Sequence, residues 1–446
     1  MNLFAIVALF GWAPLTILFF QVMSPHRAVL LSVIGGVLFL PMGGFDLPGI
    51  LPPLNKYTVI GIGLILGGRL SGQRFKADFR WSRYDLPMLV WCLCPLASSL
   101  SNNLGLYDGL AGVWDNFMVW SIPYLAGRIY IDTTEKLQDL CIAIIIGGLL
   151  YMLLCLYEIR MSPQLSNSIY GFFPHNFGQH KRYGGFRPVV FMQHALMVSL
   201  WMAATTTTIF WLWRAKVITH LKGIPLSLGV LAMIVTTILC KSASGVIALA
   251  FGIGSYFLFR LLKSTKPFRL VVLLIPCYML LRIIGGIEAT VIENQANRVF
   301  DSDRISSLAI RLKQEDLFID KMLQQPQFGW GYMSRAWPRL GEDEEGRKAI
   351  GMIDALWLIV VSTRGLVGLA AMTAMMLVGP WQALSRLRQK SQHPPDSFPR
   401  EIPMVLSLVV LLFMIDCLVN GMINPAYILV SGALLGWSME HGKARI

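Results

Sequence analysis

Apolar runs dominate the chain, and most approach the roughly 20 residues that a helix needs to cross a bilayer. Polar breaks separate them into candidate spans at 3–22, 28–45, 57–70, 85–100, 109–127, 137–158, 188–213, 224–240, 243–262, 269–287, 354–380, 403–421 and 424–438. None alternates apolar and polar positions over about ten residues, as a barrel strand would. Helices are therefore expected, because backbone groups in lipid must bond within their own segment. Run 57–70 is short, and run 109–127 carries Asp115 and Asn116, so these two make the poorest spans. The first run, Leu3 to Met23, has no basic leader and no small-residue cleavage site. It is expected to be retained as a span.

Composition agrees with this pattern. The chain has 446 residues, 55% of them hydrophobic and 14% charged, with a mean hydropathy of +0.59. A soluble domain carries about 25% charged residues. The net charge of +13 would suggest nucleic acid in a soluble protein. Here the cations flank spans, so topology and lipid head groups explain them, and no nucleic-acid partner is expected. Cys92, Cys94, Cys141, Cys155, Cys240, Cys277 and Cys417 all fall inside apolar runs, which argues against a disulfide framework or a zinc site.

Basic residues also set the orientation. Arg69, Arg74, Lys76, Arg80 and Arg83 precede the fourth run, and Arg214, Lys216 and Lys222 follow the seventh. Arg260, Lys263, Lys266 and Arg269 join the ninth and tenth, and Arg386, Arg388, Lys390 and Arg400 follow the eleventh. With these spans all four groups share one side with the tail Lys443–Arg445, and that side is the cytoplasm. The N-terminus then lies outside, as do the segments 159–187 and 288–353.

The first external segment is basic, against the usual trend. It carries Arg160, Lys181, Arg182 and Arg187, and cations held there suit the phosphates of a lipid or lipid-linked substrate. Gly184 and Gly185 allow close backbone approach to a ligand between two arginines. The competing reading is contact with lipid head groups alone, which weighs equally for Arg160 and Lys181. His175, His180 and His194 match no metal template and have no carboxylate cluster beside them, so no metal is expected.

In the second segment, residues 303–324 place Ile305, Leu308, Leu312, Ile319 and Leu323 on one stripe at helical spacing. An amphipathic helix is expected there, capped by Asp303, with Arg304 and Arg311 nearly stacked beside the stripe. Arg311 could equally form an i,i+4 pair with Glu315. Pro326–Gln327–Phe328–Gly329–Trp330–Gly331 reads as a tight turn, and Glu342–Glu345 as a solvated tip. Asp354 closes the segment at the mouth of the next span, where a carboxylate has either a task or a helix end to cap. Asp416 and Asn420, within a span, are expected to tie helices together.

The order of these features resembles the O-antigen ligase and O-antigen polymerase superfamily. Arg182–Tyr183–Gly184–Gly185–Phe186–Arg187 is similar to its R-x-x-G-x-F element before a span. Lys241–Ser242–Ala243–Ser244–Gly245 is similar to the start of its C-terminal region. Arg311 followed by Pro326-x-Phe328–Gly329-x-Gly331 is similar to its external loop, and Leu356–Trp357 through Gly365–Leu366–Val367–Gly368–Leu369 to the span after that loop. The likeness covers roughly residues 150–375. Counted back from Gly365, Asp354 stands where the family has histidine and Ala355 where it has asparagine, a departure that weakens the ligase reading more than the polymerase reading.

The resemblance implies an all-α polytopic protein of 12–13 spans, GT-C-like, in a bacterial inner membrane and active on the periplasmic face. Its implied activity is metal-independent inverting glycosyl transfer from an undecaprenyl-pyrophosphate-linked oligosaccharide, building an exopolysaccharide or O-antigen-like chain. Asp354 would act as base, with Arg187 and Arg311 stabilising the leaving pyrophosphate and Arg182, Lys181, Arg160 and Arg304 binding it. Membrane lipids and other polysaccharide-assembly proteins would be partners, and no cofactor is implied. Two alternatives stay open: a ligase that transfers glycan to lipid A core or to protein, and a transporter or flippase of lipid-linked glycan.

Overall fold

The computed structural model describes residues 1–47, 52–72, 81–175, 177–182, 184–221, 223–287, 291, 302–338, 355–389 and 399–443. The chain is mostly helical, as the apolar periodicity predicts. In order the helices are α1 (Leu3–Val22), α2 (Pro25–Phe39), α3 (Lys56–Leu70), α4 (Leu86–Ser101), α5 (Leu106–Asn116), α6 (Ile122–Tyr130), α7 (Thr134–Met161) and α8 (Leu165–Tyr170). Then come α9 (Ala195–Arg214), α10 (Leu226–Leu239), α11 (Ala243–Leu262), α12 (Lys266–Ile283), α13 (Ser302–Leu323), α14 (Met333–Ala336), α15 (Leu356–Gln389), α16 (Glu401–Asp416) and α17 (Pro425–Lys443). Two small antiparallel hairpins interrupt them: β1 (Lys181–Arg182) with β2 (Gly185–Phe186), and β3 (His220–Leu221) with β4 (Ile224–Pro225).

Among the described residues five helices, α1, α7, α9, α11 and Leu356–Leu387 of α15, are long and apolar enough to cross a membrane. They suggest a membrane-embedded protein. The exposed side chains agree, since Leu3, Leu228, Leu261 and Leu270 would cost free energy in water but none in lipid. The centre is made of α9, α16 and α17, which are buried almost throughout.

Helix α17 reaches that centre by lying directly on α6. A Cβ at Gly127 would strike the Leu429 carbonyl, one at Gly432 the Tyr124 carbonyl, and one at Gly436 the Arg128 carbonyl. Gly432–Ala433–Leu434–Leu435–Gly436 thus works as a small-x-x-x-small face that brings two backbones together.

Several boundaries differ from the hydropathy reading. The run 109–127 is not a plain helix: a π-helical turn, Phe117–Ser121, separates α5 from α6. The seventh span starts at Ala195, not at 188, because Arg187 to His194 is irregular, with a turn at Val190–Phe191. The run 403–421 ends at Asp416, and α15 is broken at Gly365, whose φ is 65°. Hydropathy senses only burial in an apolar medium, so it cannot distinguish helix from extended backbone whose polar groups are met by neighbours.

The N-terminus sits beside the first long polar segment. The Asn2 side-chain amide donates to the Ile169 carbonyl (2.8 Å) and its backbone N–H to the Tyr170 carbonyl (3.0 Å). The chain start and residues 165–170 are therefore neighbours.

Candidate functional site

The non-helical segment after Arg187 is the base of the site, and three side chains hold it. Glu158, fully buried near the end of α7, accepts the N–H groups of Val189 and Val190 at 2.8 Å each and of Leu165 at 2.9 Å. The Tyr151 hydroxyl accepts the Phe191 N–H at 3.0 Å. Lys56, buried at the start of α3, donates to the Phe191 carbonyl at 2.9 Å and to the Val37 carbonyl at 3.0 Å. Non-helical backbone is tolerated at such depth only where protein meets its polar groups, and here it does.

Upstream of this segment the β1–β2 hairpin pairs Arg182 with Gly185, and Gly184 takes the positive φ of 66° that the turn needs. Gly185 has a different reason. A Cβ there would collide with the Lys241 ammonium, which donates to the Arg182 carbonyl at 3.3 Å. The two glycines do not simply open the backbone to a ligand between two arginines. Gly185 admits Lys241 to the hairpin. The two motifs that the sequence separates by about 60 residues thus meet at one point.

Two helix N-termini converge on the same place. His194 caps α9 and Ser242 caps α11, through the Leu196 and Gly245 N–H groups respectively. A Cβ at Gly245 would lie 2.8 Å from the Ser199 side chain, so the first turns of α9 and α11 are in contact. Parallel helices with adjacent N-termini add their dipoles and favour an anion. Arg187, 4% exposed, and the exposed Arg182 both act electrostatically on His194.

The three histidines belong to this cluster. The His175 and His194 rings are 5.1 Å apart, and the His180 and His194 rings 5.3 Å. Burial, then Arg187, pushes His180 down to about 4. Burial, then His180 and Arg187, pushes His194 down to about 3, and burial lowers His175. All three are neutral near pH 7. His194 accepts a hydrogen bond at Nδ1, so its proton is on Nε2. Both ring nitrogens of the fully buried His180 lack a hydrogen-bond partner among the described residues.

A second assembly forms around the break in α15. The turn after α13 inserts its backbone into the gap. Trp330 and Gly331 donate to the Ser362 and Thr363 carbonyls (2.9 and 3.0 Å), and Leu366 and Val367 donate to the Pro326 and Gln327 carbonyls (2.7 and 3.3 Å). Asn102 donates to the Gly329 carbonyl at 2.8 Å and Arg364 to the Gly331 carbonyl at 3.0 Å. Helix α13 is fastened to α12 by Arg282, which binds Glu315 at 3.0 Å and Asp316 at 2.8 Å. Glu315 is thus the partner of Arg282. The Arg311 guanidinium acts instead on Asp416, whose Oδ1 accepts the Asn420 amide at 2.6 Å.

No protein-family model and no curated protein matches this chain.

The structure brings Arg182 and Arg187 together with Lys241. Lys181 is exposed on the same hairpin, its ammonium 5.7 Å from the Phe177 ring centre. Arg160 is exposed at the end of α7 and takes no part in the cluster. Arg311 belongs to the second assembly. Arg304 lies in α13, with its side chain outside the described residues, as is Asp354 altogether; Ala355 beside it is buried. Leu323, expected on the buried stripe, is exposed, and Phe318 and Met322 are buried in its place. Sequence reasoning missed Glu158 and treated the histidines only as metal ligands. A carboxylate in the last turn of a helix opposes the helix dipole, and that was the available signal for Glu158.

Proposed function

We propose that this chain is a metal-independent inverting glycosyltransferase of GT-C-like architecture with 12–13 spans. It extends a glycan carried on polyprenyl pyrophosphate at the outer face of a bacterial inner membrane. The observation that carries this reading is the convergence of two helix N-termini with Arg187, Arg182 and Lys241. Such a cradle fits a pyrophosphate without a divalent ion, because fixed dipoles and guanidinium groups supply the positive charge.

The acceptor hydroxyl attacks the anomeric carbon, and the bond from that carbon to the pyrophosphate oxygen breaks. Polyprenyl pyrophosphate leaves with the bonding pair, and the hydroxyl proton passes to a base. Asp354, next to the start of α15, and the neutral His180 are the two groups for that role. A pyrophosphate bound beside Arg187 would offset the arginine's effect on His180 and raise its basicity when the reaction needs it.

The break in α15 favours a second reading, a transporter, since transporters bind cargo at interrupted helices. Here the chain's own turn occupies the groups freed by the break, which leaves less for cargo and favours the enzyme. The test is chain growth from a lipid-linked repeat unit by the purified protein. Arg187→Ala is expected to lower the rate about 100- to 1000-fold, the usual cost of removing one transition-state donor. Comparing His180→Gln with Asp354→Asn identifies the base. Movement of intact lipid-linked substrate with no chain growth would overturn the reading in favour of transport.

A further inference from the structure

Helices α12 and α15 leave an apolar groove between them, far along the chain from the pyrophosphate cradle. It encloses about 580 Å³ and runs from Ile283 and Leu366 at one end to Trp381 at the other. Leu273, Leu280 and Leu366 line it and are 52%, 57% and 38% exposed, so it opens sideways where lipid would lie.

The two ends differ in charge. At the Trp381 end the Arg269 guanidinium stacks on the indole, 4.4 Å from the ring centre. Arg269 Nε is buried and has no hydrogen-bond partner among the described residues. Thr265 donates to the Leu384 carbonyl at 3.2 Å and ties the start of α12 to α15. Lys263, Lys266 and Arg386 belong to the same end by sequence. Neither α12 nor α15 contains an Asp or Glu, and Glu401 of the neighbouring α16 does not line the groove. This end therefore offers an arginine on an aromatic platform with no lining carboxylate to neutralise it.

We infer that this groove binds one anionic glycerophospholipid of the cytoplasmic leaflet, its acyl chain along α12 and α15 and its phosphate on Arg269. Basic pockets between membrane helices on the cytoplasmic side hold such head groups, and a Trp at that level suits the interface. The Arg269 end is the cytoplasmic one by the charge pattern of the chain. The site takes no part in glycosyl transfer and stands whether or not that activity does.

The experiment is native mass spectrometry of the full-length protein purified in detergent. Phosphatidylglycerol, phosphatidylcholine and polyprenyl phosphate are added in parallel. One phosphatidylglycerol is expected to stay bound in preference to phosphatidylcholine. Arg269→Gln should weaken that retention about fivefold to tenfold, since each basic group near the head group contributes about that factor, and Arg269→Lys should restore most of it. Ala374→Phe, which fills the partly exposed middle of the groove, should abolish retention while the lipid-free melting temperature stays unchanged. Equal retention of both phospholipids, an undiminished preference in Arg269→Gln, or retention of polyprenyl phosphate in place of phosphatidylglycerol would overturn the assignment.

Discussion

Single buried charges decide the most here. Arg282 is closed off from solvent and holds Glu315 and Asp316. Arg282→Ala would leave Glu315 buried without its cation, at a cost of about 3–5 kcal/mol. A melting temperature in detergent that falls by less than a few degrees would show that Glu315 finds another partner. The histidine cluster makes stability depend on pH. Folding depresses His180 to about 4 and His194 to about 3, below the ordinary 6.5. The unfolded chain therefore binds more protons between about pH 3 and 6.5. This stability is fully present above pH 6.5 and is lost as pH falls through that window. The double variant His180→Gln, His194→Asn should melt with a flatter pH dependence from pH 7 to 4; an identical slope would place the titration elsewhere. Residue identity alone exposed Arg182, Gly184 and Arg187 as a unit, because a basic, glycine-rich stretch on the outer side is conspicuous. Glu158 and the meeting of Lys241 with the hairpin stayed hidden, since each turns on a backbone group dozens of residues away.

Broken and crossed helices are the features that hydropathy could not supply. Gly365 has a φ of 65°, and a Cβ there would strike the Gln327 carbonyl. Gly365→Ala should cost about 1–3 kcal/mol for the backbone conformation alone, and more for the collision. It should also release the 326–331 turn, seen as faster amide exchange at Trp330 and Gly331. Unchanged exchange would mean the turn holds without the break. At the α6–α17 crossing, Gly432→Leu should separate the helices and lower the melting temperature by far more than the same change at Gly254, where a Cβ meets nothing within 4 Å. The sequence did display Pro326-x-Phe328–Gly329-x-Gly331 and Gly365–Leu366, but not that the first fills the gap in the second. A turn and a helix break look like separate local signals until the chain is folded.

At the scale of the whole molecule, the succession of apolar helices was legible because a bilayer demands length and hydrophobicity of each. Asn2 bonding to Ile169 and Tyr170 ties the chain start to the hairpin side. Ser168→Cys should react with an impermeant thiol reagent on intact cells, and Lys263→Cys only after permeabilisation. Labelling of Lys263→Cys on intact cells would invert the topology.

The position of α17 has a consequence for biogenesis. This helix follows every other described helix and sits at the centre, pressed on α6 and against α15 and α16. A ribosome delivers helices in order, so the seat on α6 is made some 300 residues before its occupant. The earlier helices must wait around an unfilled gap until it is made. Assembly of this protein closes from the middle, and a chain cut short before residue 425 would lack its centre, not its edge.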